Sequence, residues 1–342
     1  MTPQVLQPAT PSVVRPPLVD GLGRTHRDLR ISLTDRCNLR CTYCLPADGV
    51  PWLPGDRLLS LEETVRVARV AVERGVGEIR LTGGEPLLRP DVVDVVAALA
   101  GLPGSPEVSM TTNGIRLGRL APRLVAAGLA RVNVSLDTVD RVRYSRLTRR
   151  DRFDQVLAGL DAADAAGLTG TKTNSVLLRG VNDDEVCDIV RFAHRRGYEP
   201  RFIEQMPLDP GRSWDRAQMV RADEILESLR RELDLVELPG RGSAPAQRWQ
   251  VAGTTRTVGV IASVTRPFCG ACDRLRLTAD GQLLGCLFAT SETDVRSLLR
   301  RGCSDDEIAA ALGLTVATKG AGRDDAESGF DQPARPMSAI GG

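Results

Sequence analysis

Six short apolar runs alternate with longer amphipathic stretches over residues 29–208, and this alternation limits the possible folds more than any other feature. Strands are predicted at 29–33, 78–83, 107–113, 131–137, 171–178 and 200–208. Helices are predicted where apolar residues recur at three- and four-residue spacing, at 61–74, 91–101, 117–127, 153–166 and 184–196. Strands that alternate with helices form a parallel sheet with right-handed crossovers. We therefore predict an α/β protein built as an incomplete (βα)6-type TIM barrel, with a doubly wound open sheet as the alternative.

Changes in sequence pattern divide the chain into regions. The predicted regions are a disordered proline-rich tail at 1–24, a barrel at 25–240, a C-terminal region at 241–330 and a C-terminal tail at 331–342. Ser60 and Glu63 have the spacing of a capping box at the start of the first barrel helix. The loop-like stretch 239–246 ends the barrel pattern. Strand-like runs follow it without intervening helices, and helical patterns return at 292–301 and 304–314.

Composition argues against several partners and compartments. The chain has 45 Lys and Arg residues against 44 Asp and Glu, so no excess of positive charge indicates a nucleic-acid partner. No apolar run approaches the roughly 18–20 residues that a membrane span needs. The first twenty residues lack the charged start and apolar centre of a signal peptide. We therefore predict a cytoplasmic protein without membrane or nucleic-acid partners, whose 8 reduced cysteines favour metal or redox chemistry over disulfides.

Three cysteines, Cys37, Cys41 and Cys44, directly follow the first predicted strand. In a βα barrel the loops at the carboxyl ends of the strands build the active site, so the three thiols lie where chemistry is expected. Three unrelated packed thiols are one alternative, and a structural zinc site is another. Structural zinc is closed by four ligands, however, and no fourth Cys or His lies nearby. An iron–sulfur cluster on three thiolates would leave one iron open for a substrate.

A second set of three cysteines lies near the other end of the chain, at Cys269, Cys272 and Cys286. A zinc ribbon is the alternative here, but it needs a second pair of ligands and only Cys286 is present. The remaining thiols, Cys187 and Cys303, lie on predicted helical stretches and are interpreted as packing or partly exposed residues.

The first cysteine motif, with Tyr43 before its last cysteine, resembles that of the radical S-adenosylmethionine (SAM) superfamily. The turn Gly83–Pro86, "GGEP", resembles the superfamily motif that receives the SAM amino group, although alone it would indicate only a tight turn. The two cysteine sets together with "CDRLRL" resemble the GTP 3′,8-cyclase family, from about Leu29 through Phe288 and again at the terminal glycines. The resemblance implies the superfamily's partial barrel, with a C-terminal extension that carries a second Fe–S cluster.

The resemblance also implies functional residues. The cofactors are SAM and two [4Fe–4S] clusters, held by the two sets of cysteines, and the residues that contact SAM are Tyr43, Gly84, Ser135 and Met206. The chain has no phosphate-binding loop of the G-x4-G-K-[ST] type, so scattered cations would have to bind the triphosphate. The GTP contacts implied are Arg30, Arg80, Thr111, Lys172, Arg274, Leu275 and Arg276. Arg274 and Arg276 lie two apart and should share one face of a strand. Arg274, Arg276, Gly341 and Gly342 are implied in catalysis.

The implied reaction converts GTP to (8S)-3′,8-cyclo-7,8-dihydroguanosine 5′-triphosphate, the first step of molybdenum cofactor biosynthesis. The implied partners are a reductant protein of the flavodoxin or ferredoxin type and the cyclic pyranopterin monophosphate synthase that receives the product. A monomer or a homodimer is expected. Two alternatives remain: another radical SAM enzyme with an auxiliary cluster, such as one that modifies a peptide, and a zinc-stabilised nucleic-acid-binding module. The latter would need four-ligand sites and a basic surface.

Overall fold

The computed structural model describes residues 15–322 and 332–341, and the six predicted barrel strands lie side by side in one sheet. The strands are β1 (Asp28–Ser32), β2 (Glu78–Thr82), β3 (Glu107–Thr112), β4 (Arg131–Ser135), β5 (Lys172–Leu177), β6 (Glu199–Glu204), β7 (Leu235–Glu237), β8 (Gln247–Val251), β9 (Thr257–Ile261), β10 (Arg274–Leu277), β11 (Gln282–Leu284) and β12 (Thr293–Asp294). The six strands predicted for the barrel correspond to β1 through β6, so that part of the prediction is confirmed.

The helices, except for the last one, cover the outside of this sheet. They are α1 (Leu61–Glu73), α2 (Val92–Ala100), α3 (Leu117–Ala126), α4 (Arg141–Thr148), α5 (Phe153–Ala165), α6 (Val186–Arg195), α7 (Ala222–Arg230), α8 (Val295–Arg300), α9 (Asp305–Ala317) and α10 (Met337–Ile340). The capping box is confirmed: the Glu63 amide donates to Ser60 Oγ at 3.1 Å and the Ser60 amide donates to Glu63 Oε2 at 2.8 Å. Three helices were not predicted, namely α4, α7 and the four-residue α10. In α4, arginines interrupt the apolar spacing, whereas α7 carries a helical pattern that the prediction did not use.

The strand order distinguishes between the two predicted architectures. Strands β1 to β6 follow one another in chain order and all pair in parallel, without the reversal that defines a doubly wound sheet. The partial barrel is therefore confirmed. Two C-terminal strands extend it, because β10 pairs in parallel with β1 and β9 pairs in parallel with β6. This sheet runs through the predicted boundary at residue 240, and the division into regions stays a prediction.

Side chains alternate between the two faces of the sheet, which gives it an apolar outer face and a polar inner face. On β1 and β2 the outward residues include Leu29, Ile79 and Leu81, which are fully buried under the helices. The inward residues of the same strands include Arg30 and Arg80. Burying cations inside a barrel is costly unless an anion joins them. The polar inner face therefore indicates a binding site.

The N-terminal segment corrects one prediction. Residues 15–24, which were assigned to a disordered tail, are packed onto the barrel: Leu18 is 1% exposed, and the Arg15 guanidinium lies 3.3 Å from the Glu73 carboxylate. The physical reason is that Leu18 fills an apolar site beside α1, so that its burial offsets the cost of ordering the segment. The predicted disorder of residues 1–14 lies outside the described residues, as do residues 323–331 and Gly342.

Within residues 15–322 and 332–341, no helix combines the length and the apolar character needed to cross a bilayer.

Candidate active site

A cavity of about 340 Å³ opens on the inner face of the barrel, and both sets of cysteines line it. Cys37, Cys41 and Cys44 reach it from the loop after β1. Cys269, Cys272 and Cys286 reach it from the segments before β10 and after β11. Because β10 is the parallel neighbour of β1, the second set lies beside the start of β1, and the two sets border the cavity from opposite edges of the sheet. Thiols more than two hundred positions apart in the chain therefore face one space.

The first cysteine loop is held against the end of α4. The Thr42 amide donates to the Leu147 carbonyl at 2.9 Å, and the Arg40 amide donates to the Thr148 carbonyl at 3.0 Å. Within the loop, the Cys44 amide donates to the Cys41 carbonyl at 2.9 Å. These main-chain bonds fix the loop while leaving its three thiols directed at the cavity.

The thiols of this loop are suited to a metal group. Burial raises the pKa of Cys37 to about 11 and that of Cys44 to about 12, and it raises the pKa of Cys41 well above its usual value. Thiolates in such a place need positive charge, which iron would supply. No group of His, Cys, Asp or Glu in the described part of the chain is arranged around a single metal ion. Because each thiolate of an iron–sulfur cluster binds a separate iron, three thiols on one loop can hold a cluster without surrounding a single ion.

The GGEP turn runs along the first cysteine loop, backbone against backbone. The Gly84 amide donates to the Thr34 carbonyl at 2.7 Å, and a Cβ on Gly84 would overlap the carbonyl oxygens of Asp35 and Arg36. Glycine is therefore required at position 84 by packing. Glu85 is buried and accepts hydrogen bonds from the Thr112 hydroxyl and the Asn113 amide, both at 2.7 Å. The turn thus connects the first loop to the end of β3.

The four residues predicted to contact SAM lie together around the first cysteine loop. Tyr43, Gly84, Ser135 and Met206 all line the cavity. The Tyr43 hydroxyl donates to Asp137 Oδ2 at 2.8 Å, and burial raises the pKa of Asp137 to about 6. Asp137 was not predicted, and it is the one carboxylate among the described residues that line the cavity. The SAM contacts themselves stay a prediction.

Cations form a row on the inner face. Arg276, Arg30 and Arg80 occupy facing positions on the adjacent parallel strands β10, β1 and β2. Burial lowers the pKa of each, and neighbouring cations lower those of Arg30 and Arg276 further, the latter to about 10. Arg274 also lines the cavity. One carboxylate, Asp28, lies 3.8 Å from Arg30 Nε, but the cations of the row outnumber it, which favours binding of a polyanion.

Unpaired polar atoms point to the same conclusion. Among the described residues, Arg30 Nε, Arg274 Nη2, Asn133 Oδ1 and Asn174 Oδ1 are buried without hydrogen-bond partners. Buried polar atoms are normally paired, so these atoms indicate the positions of ligand groups. Asn133 and Asn174 were not predicted, although both lie on inward positions of β4 and β5.

Arg201 is a further cation that the prediction missed. It lines the cavity from β6, next to Asn174 on β5, and it pairs with Glu199 at 2.6 Å. A Cβ on Gly259 of β9 would lie 3.0 Å from Arg201 Cγ, so the glycine leaves room for the arginine. In the sequence, the alternation of side chains along β6 was the feature that could have indicated an inward position for Arg201.

The remaining predicted GTP contacts lie at different positions. Thr111 lines the cavity. Lys172 lies two residues before Asn174 on β5 and faces the barrel interior as well, but it is outside the cavity lining. Burial lowers the pKa of Lys172 to about 8. The predicted contact of Leu275 stays a prediction: its side chain is fully buried in the core opposite Leu29, because alternation on β10 turns it away from the cavity. Any contact from Leu275 is limited to its main chain.

The C-terminal tail reaches into the cavity. Met337 and Ser338 line it, and the Met337 amide donates to the Leu208 carbonyl at 3.0 Å. Two hydrogen bonds of 3.0 Å join the Arg335 guanidinium to the Asp280 carboxylate and anchor the tail. The Arg276 guanidinium donates to the Gly341 carbonyl. Gly341 is thus placed beside the cation row, while Gly342 lies outside the described residues.

Comparisons with known proteins agree with this arrangement. The family model "Radical SAM superfamily" matches residues 31–193, and the model "Molybdenum Cofactor Synthesis C" matches residues 198–324. The chain is 54% identical to a protein named GTP 3′,8-cyclase from Mycobacterium sp. (strain KMS), over 99% of this chain and 98% of that one. It is 56% identical to a GTP 3′,8-cyclase from Streptomyces coelicolor, over 95% and 96%.

A solved structure shares the fold. Streptococcus suis SuiB bound to S-adenosylmethionine superposes with a TM-score of 0.58 at 14% sequence identity, covering 85% of this chain and 68% of that one. At this identity the likeness concerns the fold alone.

Proposed function

The chain belongs to the GTP 3′,8-cyclase family of radical SAM enzymes, and we propose that its barrel cavity carries out that family's reaction. The substrate is GTP, and the product is (8S)-3′,8-cyclo-7,8-dihydroguanosine 5′-triphosphate, which begins molybdenum cofactor biosynthesis. The observation that carries the proposal is the single cavity onto which both cysteine sets and a row of buried arginines open.

The family's cofactors are SAM and two [4Fe–4S] clusters. Cys37, Cys41 and Cys44 would hold the first cluster, and Cys269, Cys272 and Cys286 would hold the second. When bound, the first cluster supplies the electron that cleaves SAM to a hydrogen-abstracting radical, and the second offers an open iron to the guanine of GTP. The cysteine loops hold these groups on opposite sides of one cavity, so the substrate can lie between them.

The residues beside the first loop bind and orient SAM. Gly84 has no side chain, so its main chain can face SAM beside the first cysteine loop. Ser135 and Met206 line the same cavity. Tyr43 is oriented by its hydrogen bond to Asp137. Orientation of this kind reduces the entropic cost of bringing the reacting atoms together.

The inner-face cations bind the triphosphate. Arg30, Arg80, Arg201, Arg274 and Arg276 line the cavity, and together they can neutralise the roughly four negative charges of GTP. Guanidinium groups suit this task, because their planar forks make paired hydrogen bonds to phosphate oxygens. Lys172 would add a further positive charge from the start of β5, outside the cavity lining. These roles rest on position and charge, and we propose them together.

The C-terminal tail and the apolar wall limit access of water. Leu39, Val176 and Ile203 line the cavity beside Met337 of the tail. Excluding water protects a reactive intermediate and strengthens the electrostatic contacts of the arginines. Gly341, held by Arg276, brings the tail to the same point.

The proposal is tested with anaerobically reconstituted protein. We expect about eight irons per chain, and cyclised GTP together with 5′-deoxyadenosine after incubation with SAM, GTP and dithionite. Zinc without iron would overturn the cluster assignment. Formation of 5′-deoxyadenosine only with a peptide substrate would instead assign the chain to another radical SAM activity.

We propose that the electron for the first cluster comes from a reductant protein of the flavodoxin or ferredoxin type that docks at the end of α4. This end, the α4 basic face, consists of Arg146, Arg149, Arg150 and Arg152, all exposed. It adjoins the first cysteine loop, because Arg149 Nη1 donates to the Leu45 carbonyl at 3.0 Å. None of the four has a carboxylate within ion-pair distance in the described residues. A basic face beside the cluster suits a partner with an acidic face.

Charge reversal tests this docking site. We expect the triple variant Arg146→Glu, Arg150→Glu and Arg152→Glu to slow turnover driven by reduced flavodoxin about tenfold or more at low salt, because steering charge is reversed. Turnover driven by dithionite should stay within about twofold, since a small reductant needs no docking surface. The matched control reverses three exposed arginines elsewhere, at Arg119, Arg123 and Arg230. Equal losses with both reductants, or a loss in the control, would contradict the assignment.

Family membership supports three further proposals. The product passes to a cyclic pyranopterin monophosphate synthase, the protein acts in the cytoplasm, and it is a monomer or a homodimer. Sedimentation analysis of the reconstituted protein distinguishes the two oligomeric states.

A further inference from the structure

Lysine is nearly absent from this chain. Of 45 lysine and arginine residues only two are lysines, Lys172 and Lys319, and the cations of the surface are arginines. Lys172 lies on the inner face of the barrel, and Lys319, which follows α9, is 9% exposed. An ammonium group is a compact charge with three donors, whereas a guanidinium group is a wide planar fork. Both lysines of this chain therefore lie at enclosed positions, whereas its other cationic side chains of this kind are arginines.

The three donors of Lys319 are all engaged at the second cysteine set. Nζ donates to the Arg274 carbonyl at 2.8 Å, to the Cys272 carbonyl at 3.2 Å and to Cys272 Sγ at 3.3 Å. The aliphatic part of the side chain packs where a Cβ on Gly285 would lie, 3.2 Å from Lys319 Cβ. Lys319 therefore lies between the segment of Cys272 and the segment that leads to Cys286.

A second cation, Arg24, also binds the loop that carries Cys269 and Cys272. Arg24 Nη1 donates to the Cys269 carbonyl at 2.7 Å, and Arg24 Nη2 donates to the Gly320 carbonyl at 2.7 Å. Arg24 is itself held by Asp20 at 2.6 Å. The N-terminal segment, the residues after α9 and the second cysteine loop are thus joined at one place.

We propose that Lys319 is a positioning residue that couples the second cluster to the GTP-binding arginines. By binding the main chain on both sides of Asp273, it fixes the thiol of Cys272 relative to the guanidinium of Arg274. Its charge, in contact with a ligand sulfur, favours the reduced and more negative form of the cluster. This inference rests on the proposed function, in which Cys272 holds the cluster and Arg274 binds GTP.

The contacts explain why arginine would not substitute. A guanidinium is planar and longer, so it cannot direct three donors to two carbonyls and one sulfur around a single nitrogen. The space is also limited, because the side chain is enclosed by Gly285 and the Cys272 segment. Lys319→Arg should therefore keep the charge but lose the geometry, whereas Lys319→Met should lose the charge and keep much of the volume.

The experiment isolates the second cluster. In a background with Cys37, Cys41 and Cys44 replaced by serine, we measure iron content, the midpoint potential by EPR-monitored titration, and the dissociation constant for GTP. With Lys319→Met we expect a more negative potential and GTP binding weakened about tenfold or more, because a bond to a charged group is lost. With Lys319→Arg we expect a potential closer to that of the parent, with GTP binding still weakened. Arg301→Met, an exposed substitution, is the control.

Each outcome has a distinct meaning. If both Lys319 variants keep the parent's potential and GTP affinity, Lys319 is packing alone and the inference is wrong. If the Lys319→Met protein cannot retain iron, the Lys319→Arg protein is used instead. An iron-containing Lys319→Arg protein that binds GTP as tightly as the parent would overturn the positioning role. If the parent itself holds no iron at the second cysteine set, the proposed function fails instead.

Discussion

The Arg276→Ala protein is expected to retain both clusters and to lose GTP cyclisation almost completely. Arg276 is 5% exposed and lies at one end of the cation row, opposite Arg30 on the neighbouring strand. Removing one partner of a buried charged contact costs 2–5 kcal/mol or more, so kcat/KM should fall roughly a thousandfold. The measurement is product formation with SAM, GTP and dithionite, alongside iron content. Arg276→Lys should be intermediate, because it keeps the charge and loses the fork.

The stability of this variant provides an independent readout. Burial and the nearby Arg274 lower the pKa of Arg276, so the charged side chain is unfavourable in the folded protein without its ligand. Removing it should leave the Tm of the GTP-free protein no lower than that of the parent. GTP should then raise the Tm of the parent but not that of the variant. Loss of iron from Arg276→Ala would show that Arg276 supports the cluster rather than the substrate.

The second large effect is expected from Gly341→Ala. Gly341 has a φ of 83°, which disfavours residues with a Cβ, and the added methyl would overlap Thr82 Oγ1 and approach Ser32 Cβ at 3.1 Å. Because Gly341 lies beside Arg276, the clash should displace this part of the tail from the cavity. We expect activity to fall about a hundredfold or more, as misplacement near the reacting groups costs this much.

Gly253→Ala is the matched control for Gly341→Ala. Gly253 has a similar φ of 72°, but no atom lies within 4 Å of an added Cβ. The control should therefore cost about 1 kcal/mol of stability, which is the conformational penalty alone, and leave activity unchanged. Combining Gly341→Ala with Thr82→Ala should recover part of the activity, since it removes one clashing atom. No recovery in the double variant, together with a loss in the control, would contradict the steric explanation.

The cysteine sets and the barrel were predictable because their signals are local. The spacing of Cys37, Cys41 and Cys44 is contained in eight residues, and the strands follow from alternation over five or six. The shared face of Arg274 and Arg276 followed from the same period of two, and both line the cavity. The same period turns the Leu275 side chain away from the cavity, so its predicted contact with GTP would be made by its main chain.

Other features could not be predicted because they depend on which strands become neighbours. Arg201 belongs to the site because β6 pairs with β5, where Asn174 is its neighbour, and Asp137 belongs to it through the hydrogen bond that it accepts from Tyr43. Lys319 is separated from Cys272 by 47 positions, and no periodicity links them. The ordered segment around Leu18 was likewise hidden, because its burial depends on the barrel surface that receives it.

The sequence by itself determined the chemistry available to this protein: two sets of three thiols without a fourth ligand, and cations on alternating strand positions. It determined these because spacing and alternation act over a few residues. Only the tertiary structure decided that the two sets face one cavity. That outcome depends on β10 pairing with β1, which joins residues 246 positions apart and follows from burying Leu29 against Leu275 in a common core.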